Sequence, residues 1–423
     1  MPGAELQLAA YGKQDLELTG KPQISYFCSV FKRYTNFAIE NIEEVLIGNP
    51  IFGSKSHVKL GRYGDLVGKI YLQIDLPALN PSNDPSFALS WINSIGHAII
   101  KKISIEIGGI IIDEQYGMWL EIWNELTLPA EKKWGYYNMI GKHDYFNVTM
   151  QQDRLRLRIP LQFWFCKNIG LALPTIALQN MDVRLIVEFH KFDELWVSST
   201  GDLSMYHDVF TRAKKTPEQY FQIIEALCYV DYIYLEDNER RWFVNTRHKY
   251  LIDQIHHNFI STNLTSIDNI IQLYFNHPVK ELIWVIRDCI NFTKVSGGGN
   301  DMFNFSDKLL YLGLPLDDPM INSIIYIEGK YRFWPPRDGR YFREIEPYKY
   351  HHNIPNNFIY VYSFSLEADS NKPTGTCDFS MLDNIQLNIK IKDTLIDPQI
   401  NIFAPNYNIL IIEGGMAGLR YND

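Results

Sequence analysis

The sequence predicts an all-β protein of two consecutive sandwich domains, with a few short helices in its loops. Three observations carry that expectation. Apolar and polar residues alternate with period two, the chain repeats itself at about half its length, and aromatic residues are abundant. A strand sends successive side chains to opposite faces, so period two marks one buried and one solvated face.

The alternation is clear in five places. Ile103, Ile105 and Ile107 interleave with Lys102, Ser104 and Glu106. Leu155, Leu157 and Ile159 interleave with Arg154, Arg156 and Arg158. Val183, Leu185, Val187 and Phe189 share a face, as do Tyr360, Tyr362, Phe364 and Leu366. Ile385, Leu387, Ile389 and Ile391 alternate with Gln386, Asn388, Lys390 and Lys392. Helical spacing is rarer. Tyr116, Trp119, Leu120, Trp123 and Leu126 predict a helix over Asp113–Leu128 with Asp113 as its cap, and a shorter helix is expected over Glu239–Asn245. Its aromatic stripe, Tyr116–Trp119–Trp123, reads as core rather than as a ligand site.

The repeat rests on order and displacement. VGKIYLQI at 67–74 corresponds to VKELIWVI at 279–286, and Ile39–Ile42 to Leu251–Gln254, both displaced by 212 positions. IEIGG at 105–109 corresponds to IYIEG at 325–329, and MDVRLIVEF at 181–189 to DNIQLNIKI at 383–391. With 423 residues, such a period implies two domains of one fold rather than a solenoid. Strands separated by long loops, at about 75–98, 129–150, 191–225 and 288–322, suit sandwiches, of which the eight-stranded jelly roll is a common form.

Composition narrows the function. Charged residues are 21% and hydrophobic ones 46%, the balance of a folded chain. The net charge of −9 argues against coating nucleic acid, which needs excess Lys and Arg; a local basic patch is still open, for example around Arg154, Arg156 and Arg158. The cysteines, Cys28, Cys166, Cys228, Cys289 and Cys377, are odd in number and widely spaced, and read as free thiols in a reducing compartment. The first residues lack the apolar core of a signal peptide and no long apolar run follows, so a soluble protein made in the cytosol is expected.

Chemistry-bearing motifs are sparse. His256-His257 and His351-His352 are adjacent pairs whose side chains would diverge in a strand, so the histidines are expected at surfaces or in loops rather than around a metal. Glu43-Glu44 and Asp317-Asp318 read as solvated charges. Ser296-Gly297-Gly298-Gly299-Asn300 lacks the Lys of a phosphate loop and reads as a flexible connection. No catalytic residue, cofactor or metal is expected. The sequons are Asn147, Asn263, Asn291 and Asn304, of which Asn291 and Asn304 are the ones to test as glycan acceptors.

Motifs along the whole chain resemble those of the double jelly-roll major capsid proteins of nucleocytoplasmic large DNA viruses, the group of phycodnaviruses and iridoviruses. The most specific is Leu8–Phe27, with Asp15, Leu18, Thr19, Gly20, Pro22 and Gln23, followed by Tyr34, Thr35, Asn36 and Phe37. Further on stand Leu173-Pro174, Asn276-His277-Pro278, Gly375, Asn406-Tyr407-Asn408 and Gly415-Met416. Lys21 and Ser25 depart from the pattern, where Asn and Thr are usual.

The resemblance implies two consecutive eight-stranded antiparallel jelly rolls, 25–237 and 238–423, after an N-terminal arm, 1–24. It implies homotrimers of pseudo-hexagonal outline that tile an icosahedral virion over an internal membrane, assembled in the host cytoplasm. Neighbouring capsomers, minor capsid proteins and penton proteins would be the partners, with no direct nucleic-acid contact. A minor capsid paralogue of the same fold, or a jelly-roll carbohydrate-binding protein, are the competing readings.

Overall fold

The computed structural model describes residues 3–79, 89–143, 154–198, 221–261, 268–289, 301–307, 317–395 and 397–421. The chain forms two compact units, Met1–Asn36 and Phe37–Asp423. The expected arm boundary at residue 24 therefore falls inside the first unit. That unit holds two short helices, Gly3–Ala9 and Asp15–Thr19, and neither buries a side chain. Asp15 accepts the Gly12 N–H at 2.9 Å, and the Gly20 N–H closes the second helix on the Leu16 carbonyl.

Among the described residues, the second unit is built on sixteen principal strands. The first eight are β1 (Phe37–Val45), β2 (Lys55–Lys59), β3 (Leu66–Leu76), β4 (Ile100–Ile107), β5 (Ile110–Tyr116), β6 (Leu155–Pro160), β7 (Val183–Phe189) and β8 (Glu225–Leu235). The second eight are β9 (His248–Ile260), β10 (Asn269–Gln272), β11 (Glu281–Asp288), β12 (Met320–Ile327), β13 (Lys330–Tyr331), β14 (Ile359–Ser363), β15 (Ile385–Ile391) and β16 (Pro398–Glu413). The first set forms sheets β1-β8-β3-β6 and β2-β7-β4-β5. The second forms β9-β16-β11-β14, flanked by the short strands Pro278–Val279, Cys377–Asp378 and Met416–Leu419, and β10-β15-β12-β13, with Arg337–Asp338 beside β12. Adding eight to every number in the first pair of sheets gives the second pair, and the ladders are antiparallel. Two facing antiparallel sheets of this strand order are a jelly roll, so the chain is a double jelly roll.

The local chemistry explains why both copies turn where they do. β4 and β5 are joined by Gly108 and Gly109 at φ +60° and +89°, and β12 and β13 by Glu328 and Gly329 at φ +51° and +73°. A tight hairpin of this kind needs positive φ at both central residues. Glu328 tolerates it because its Oε1 accepts the backbone N–H groups of Asp383 and Asn384 at 2.8 and 2.9 Å.

Alternation holds where one face is solvated. In β7 and β15 the burial alternates along the strand as the sequence implies. It fails in β11 and β14, where every residue of β14 and all but Arg287 of β11 are buried. The predicted Tyr360–Leu366 face is cut short for the same reason. The strand ends at Ser363, and Leu366 is exposed.

The helix Gly117–Thr127 is present, but Asp113 does not cap it. Asp113 is a buried residue of β5, and Tyr116 occupies the cap position without a side-chain bond. The expected helix near 239 spans Asp237–Asn245. Glu44 is buried and Asp318 partly buried. Glu44 accepts from the Tyr232 hydroxyl and the Gly61 N–H at 2.7 and 2.8 Å, and Asp318 from the Tyr360 hydroxyl at 2.5 Å. The basic patch is anchored on the neighbouring strand, with the Arg154 and Arg156 side chains still more than half exposed. Arg154 and Arg156 of the β6 edge both bond Asp75 of β3, and Arg158 bonds Gln73. The Gly-rich stretch 296–300 lies outside the described residues. Among the described residues no helix is long and apolar enough to cross a membrane.

Trp119 is fully buried, stacks on Trp123 at 5.2 Å and meets Phe403 of β16 at 5.6 Å. Trp119→Ala is expected to cost about 3–5 kcal/mol, the range for emptying an aromatic core site, read as a lowered denaturation midpoint. Trp134→Ala, at an exposed site, is expected to leave the midpoint unchanged.

Candidate functional site

The feature that organises the molecule is the junction between its two jelly rolls. The first module presents β5 and the helix Gly117–Thr127; the second presents the outer face of β9 and β16. Rings meet across it: Trp119 with Phe403, and Tyr116 with His257 at 4.7 Å. Backbone groups are satisfied across it too. The Ile255 N–H donates to Asp113 Oδ1 at 3.1 Å, and Gln254 donates to the Ile112 carbonyl. The Asn353 N–H reaches the Leu126 carbonyl at 3.1 Å, and the Asn180 N–H reaches the Gly415 carbonyl at 3.0 Å.

Charges are buried here rather than left in solvent. Asp253 of β9 lies 3.7 Å from Lys167 of the first module and 3.5 Å from Lys280 of the second. Lys167 also sits over the Trp123 ring at 4.4 Å. Burial pushes the Asp113 carboxyl up to about 7, against the bonds from Gln115 and Ile255. His351 bridges Glu281 at 2.7 Å and Asp369 at 2.6 Å, and His352 bonds the other oxygen of Asp369 at 2.6 Å. In the first module His97 joins Glu121 at 2.6 Å and Tyr136 at 2.8 Å, and Lys142 joins Glu121 and Glu125.

These networks correct the expectation of surface histidines. His97 and His351 have fully buried side chains. The His351-His352 pair is not in a strand, and its rings converge on one carboxylate instead of diverging. His256 and His257, which are in a strand, do diverge: His256 faces Phe275 and His277, and His257 stacks on Phe403. Among the described residues no group of three His, Cys, Asp or Glu side chains is placed to hold a metal.

The motif residues do not converge on one reactive centre. Asp15, Leu18, Thr19 and Gly20 form the second helix of the first unit and its end, where Thr19 donates to the Asp15 carbonyl at 2.7 Å. Pro22, Gln23, Tyr34, Thr35 and Asn36 follow in that unit, and Phe37 opens β1. Leu173 exchanges both backbone bonds with Val67, and buried Pro174 leads into a short 3-10 turn. In the second module His277, Pro278 and Asn406 do come together. His277, at φ +68°, bonds Ser380 through its N–H and lies 3.4 Å from Asn406, and Val279 pairs with Asn406. Tyr407 lies under the Lys280 ammonium, and Asn408 bonds Gln254 at 2.8 Å. Gly375 and Gly415 hold positive φ. A Cβ on Gly375 would meet the Phe364 carbonyl at 2.9 Å, and one on Gly415 the Asn180 side chain at 2.7 Å. Met416 is exposed beside it. They are turn and strand-locking positions.

Asn304 is buried. Its Oδ1 accepts from the Ser306 N–H and hydroxyl, and it bonds Asp301. Asn291, Asn147 and Asn263 lie outside the described residues.

Comparison with known proteins agrees with this architecture. The family model described as "Major capsid protein N-terminus" matches residues 25–236, and that described as "Large eukaryotic DNA virus major capsid protein" matches 239–418. The chain belongs to the major capsid protein family of large eukaryotic DNA viruses. It is 35% identical to the major capsid protein of Pyramimonas orientalis virus and 32% to that of Phaeocystis pouchetii virus, in each case over 100% of both chains. Among solved structures, PBCV-1 VP54 is similar at a TM-score of 0.78 and 26% identity, covering 94% of this chain and 100% of its own. The double jelly roll is thus the family's capsid fold, and the protein is a structural component of the virion capsid.

The buried histidine gives a pH prediction. Burial lowers the His351 pKa, but Glu281 and Asp369 outweigh it and hold the ring at about 10, above the ordinary 6.5. A raised pKa stabilises the fold in full below about pH 6.5, and the contribution is lost as pH rises through about 10. His351→Gln is expected to flatten the fall in unfolding free energy between those values, measured by denaturant titration at several pH values. Equal slopes for the two proteins would refute the assignment.

Proposed function

We propose that the chain assembles as homotrimers of pseudo-hexagonal outline that tile the faces of an icosahedral shell. One observation carries the reading: a single chain folds the same eight-stranded sandwich twice and fuses the copies through a buried junction. Three such chains around a threefold axis present six near-equivalent modules, the number a hexagonal lattice needs, from one gene.

The modules of this reading are 25–237 and 238–423. Exposed apolar side chains supply the contact surfaces. Phe37, Ile39 and Val45 stand out from β1, an edge strand, and Trp242 and Val244 from the helix Asp237–Asn245. Apolar groups of this kind on an edge strand favour strand or module docking. The N-terminal unit, whose helices bury no side chain, is assigned to contacts with neighbouring capsomers and with minor capsid or penton proteins. An internal membrane lies nearby in this arrangement, and among the described residues no helix is long and apolar enough to cross it. Assembly in the host cytoplasm fits the free thiols of all five cysteines. The reading includes no catalytic step and no direct contact with the genome.

Light scattering on the purified protein is expected to give three chains of 49.4 kDa, about 148 kDa. A monomer throughout the micromolar range would overturn the proposal. Phe37→Asp with Ile39→Asp is expected to leave the fold intact but suppress higher assembly, seen as loss of sheets or shells by electron microscopy.

A further inference from the structure

The junction holds a half-open pocket that shell building does not use. A cavity of about 310 Å³ lies between the modules. Tyr116 and Met118 line it from the first module; Phe259, Met302 and Phe403 line it from the second. That volume equals roughly ten waters at about 30 Å³ each. Apolar walls with a few polar groups are the usual composition of a small-molecule site.

Two of the polar residues in this wall are Asn401 and Arg287. Asn401 is 3% exposed. Its Oδ1 is engaged by His257 Nε2 at 3.0 Å, while its Nδ2 is buried without a hydrogen-bond partner. A buried amide donor left unpaired costs free energy that an incoming acceptor would recover. Arg287 is the second. Its Nη1 and Nη2 donate to neutral oxygens, the Met302 carbonyl at 3.4 Å and Gln399 Oε1 at 3.2 Å. Burial lowers its pKa only to about 10, so it remains a cation at neutral pH, and the same burial keeps His257 from charging. Elsewhere on the wall Lys101 is held by Glu188 at 2.5 Å and Glu194 by His190 at 2.7 Å, and the Glu194 charge also acts on Arg287.

We propose that this cavity binds a small amphiphile with a carboxylate head and a hydrocarbon chain of medium length. The head accepts from Asn401 Nδ2 and is attracted by the Arg287 guanidinium. The chain lies along Met118, Phe259, Met302 and Phe403. A carboxylate is favoured over a neutral head because a charge-assisted bond is about twice as strong as a neutral one. Since both modules supply wall, an occupant ties them together and stabilises the folded chain by mass action.

The test uses the full-length protein with decanoate and decanol as probes, read by native mass spectrometry and calorimetry. The expected result is one decanoate per chain, a thermal midpoint that rises with decanoate concentration, and decanol binding at least about tenfold weaker. Met118→Trp, which fills the cavity, is expected to abolish the binding. Should that variant fail to fold, methyl NMR of the wild-type protein decides, with the Met118 and Met302 methyls expected to shift on titration. Equal binding of the two probes, decanoate binding unchanged in M118W, no methyl shift, or no saturable binding at all would each overturn the proposal. None of these outcomes depends on whether the chain forms trimers.

Discussion

Burial of both faces of one β-sheet is the constraint on which the rest of the molecule depends. The sheet β9-β16-β11-β14 turns Trp284 and Tyr360 inward, where Trp284 packs on Phe342 at 5.0 Å. Phe403 of its central strand lies on the opposite face and meets Trp119 of the other module. A free sandwich of this kind would leave that outer face wet. Here the helix Gly117–Thr127 covers it. The two jelly rolls therefore share one continuous apolar core instead of hanging on a linker.

Covering that face forces polar groups out of water, and the buried charges follow from this. Asp113 and Asp253 lie beside the junction and must be compensated where they stand, by Ile255, Gln115, Lys167 and Lys280. The same holds for Glu281, a β11 residue that meets His351. Pairs of this kind add little over a well-packed apolar contact, but removing one partner costs about 3–5 kcal/mol. Their effect is on geometry. A hydrogen-bonded carboxylate accepts only one register, so slippage of β9 along β5 would strand Asp113 and Gln254 together.

Much of this fold was legible in the sequence, for a physical reason. Each of the four paired segments lands on equivalent strands: 67–74 on β3 and 279–286 on β11, 39–42 on β1 and 251–254 on β9, 105–109 and 325–329 at the β4–β5 and β12–β13 turns, 181–189 on β7 and 383–391 on β15. Strands with one wet face announce themselves by alternation, as β7 and β15 do. What could not be read depends on which surfaces meet. Asp113 looks like a helix cap because the local pattern favours one; only the arrival of the Ile255 N–H makes it a buried strand residue. His351 looks like a loop histidine because nothing nearby in sequence announces Glu281. Leu366 continues a pattern that tertiary packing ends at Ser363. The one signal available for the buried acids was Lys280 and Glu281 inside an otherwise apolar run, an anomaly that buried charge pairing explains.

Doubling the fold in one chain also lets the copies differ where they must. β5 has seven residues and carries Asp113 and the polar contacts of the junction, whereas its counterpart β13 has two and ends in an exposed hairpin with Tyr331 and Trp334. The helix after β5 closes the junction, while Phe342 in the segment after β13 turns into its own module against Trp284. A homodimer of one sandwich would have to use identical surfaces for both tasks. Covalent linkage removes that restriction and makes the module contact intramolecular, at a high effective concentration. In the proposed trimer, half of the six module contacts around the ring are then already formed when each chain folds. Association has only the remaining three to make, and these can stay weak enough for a growing shell to correct its errors.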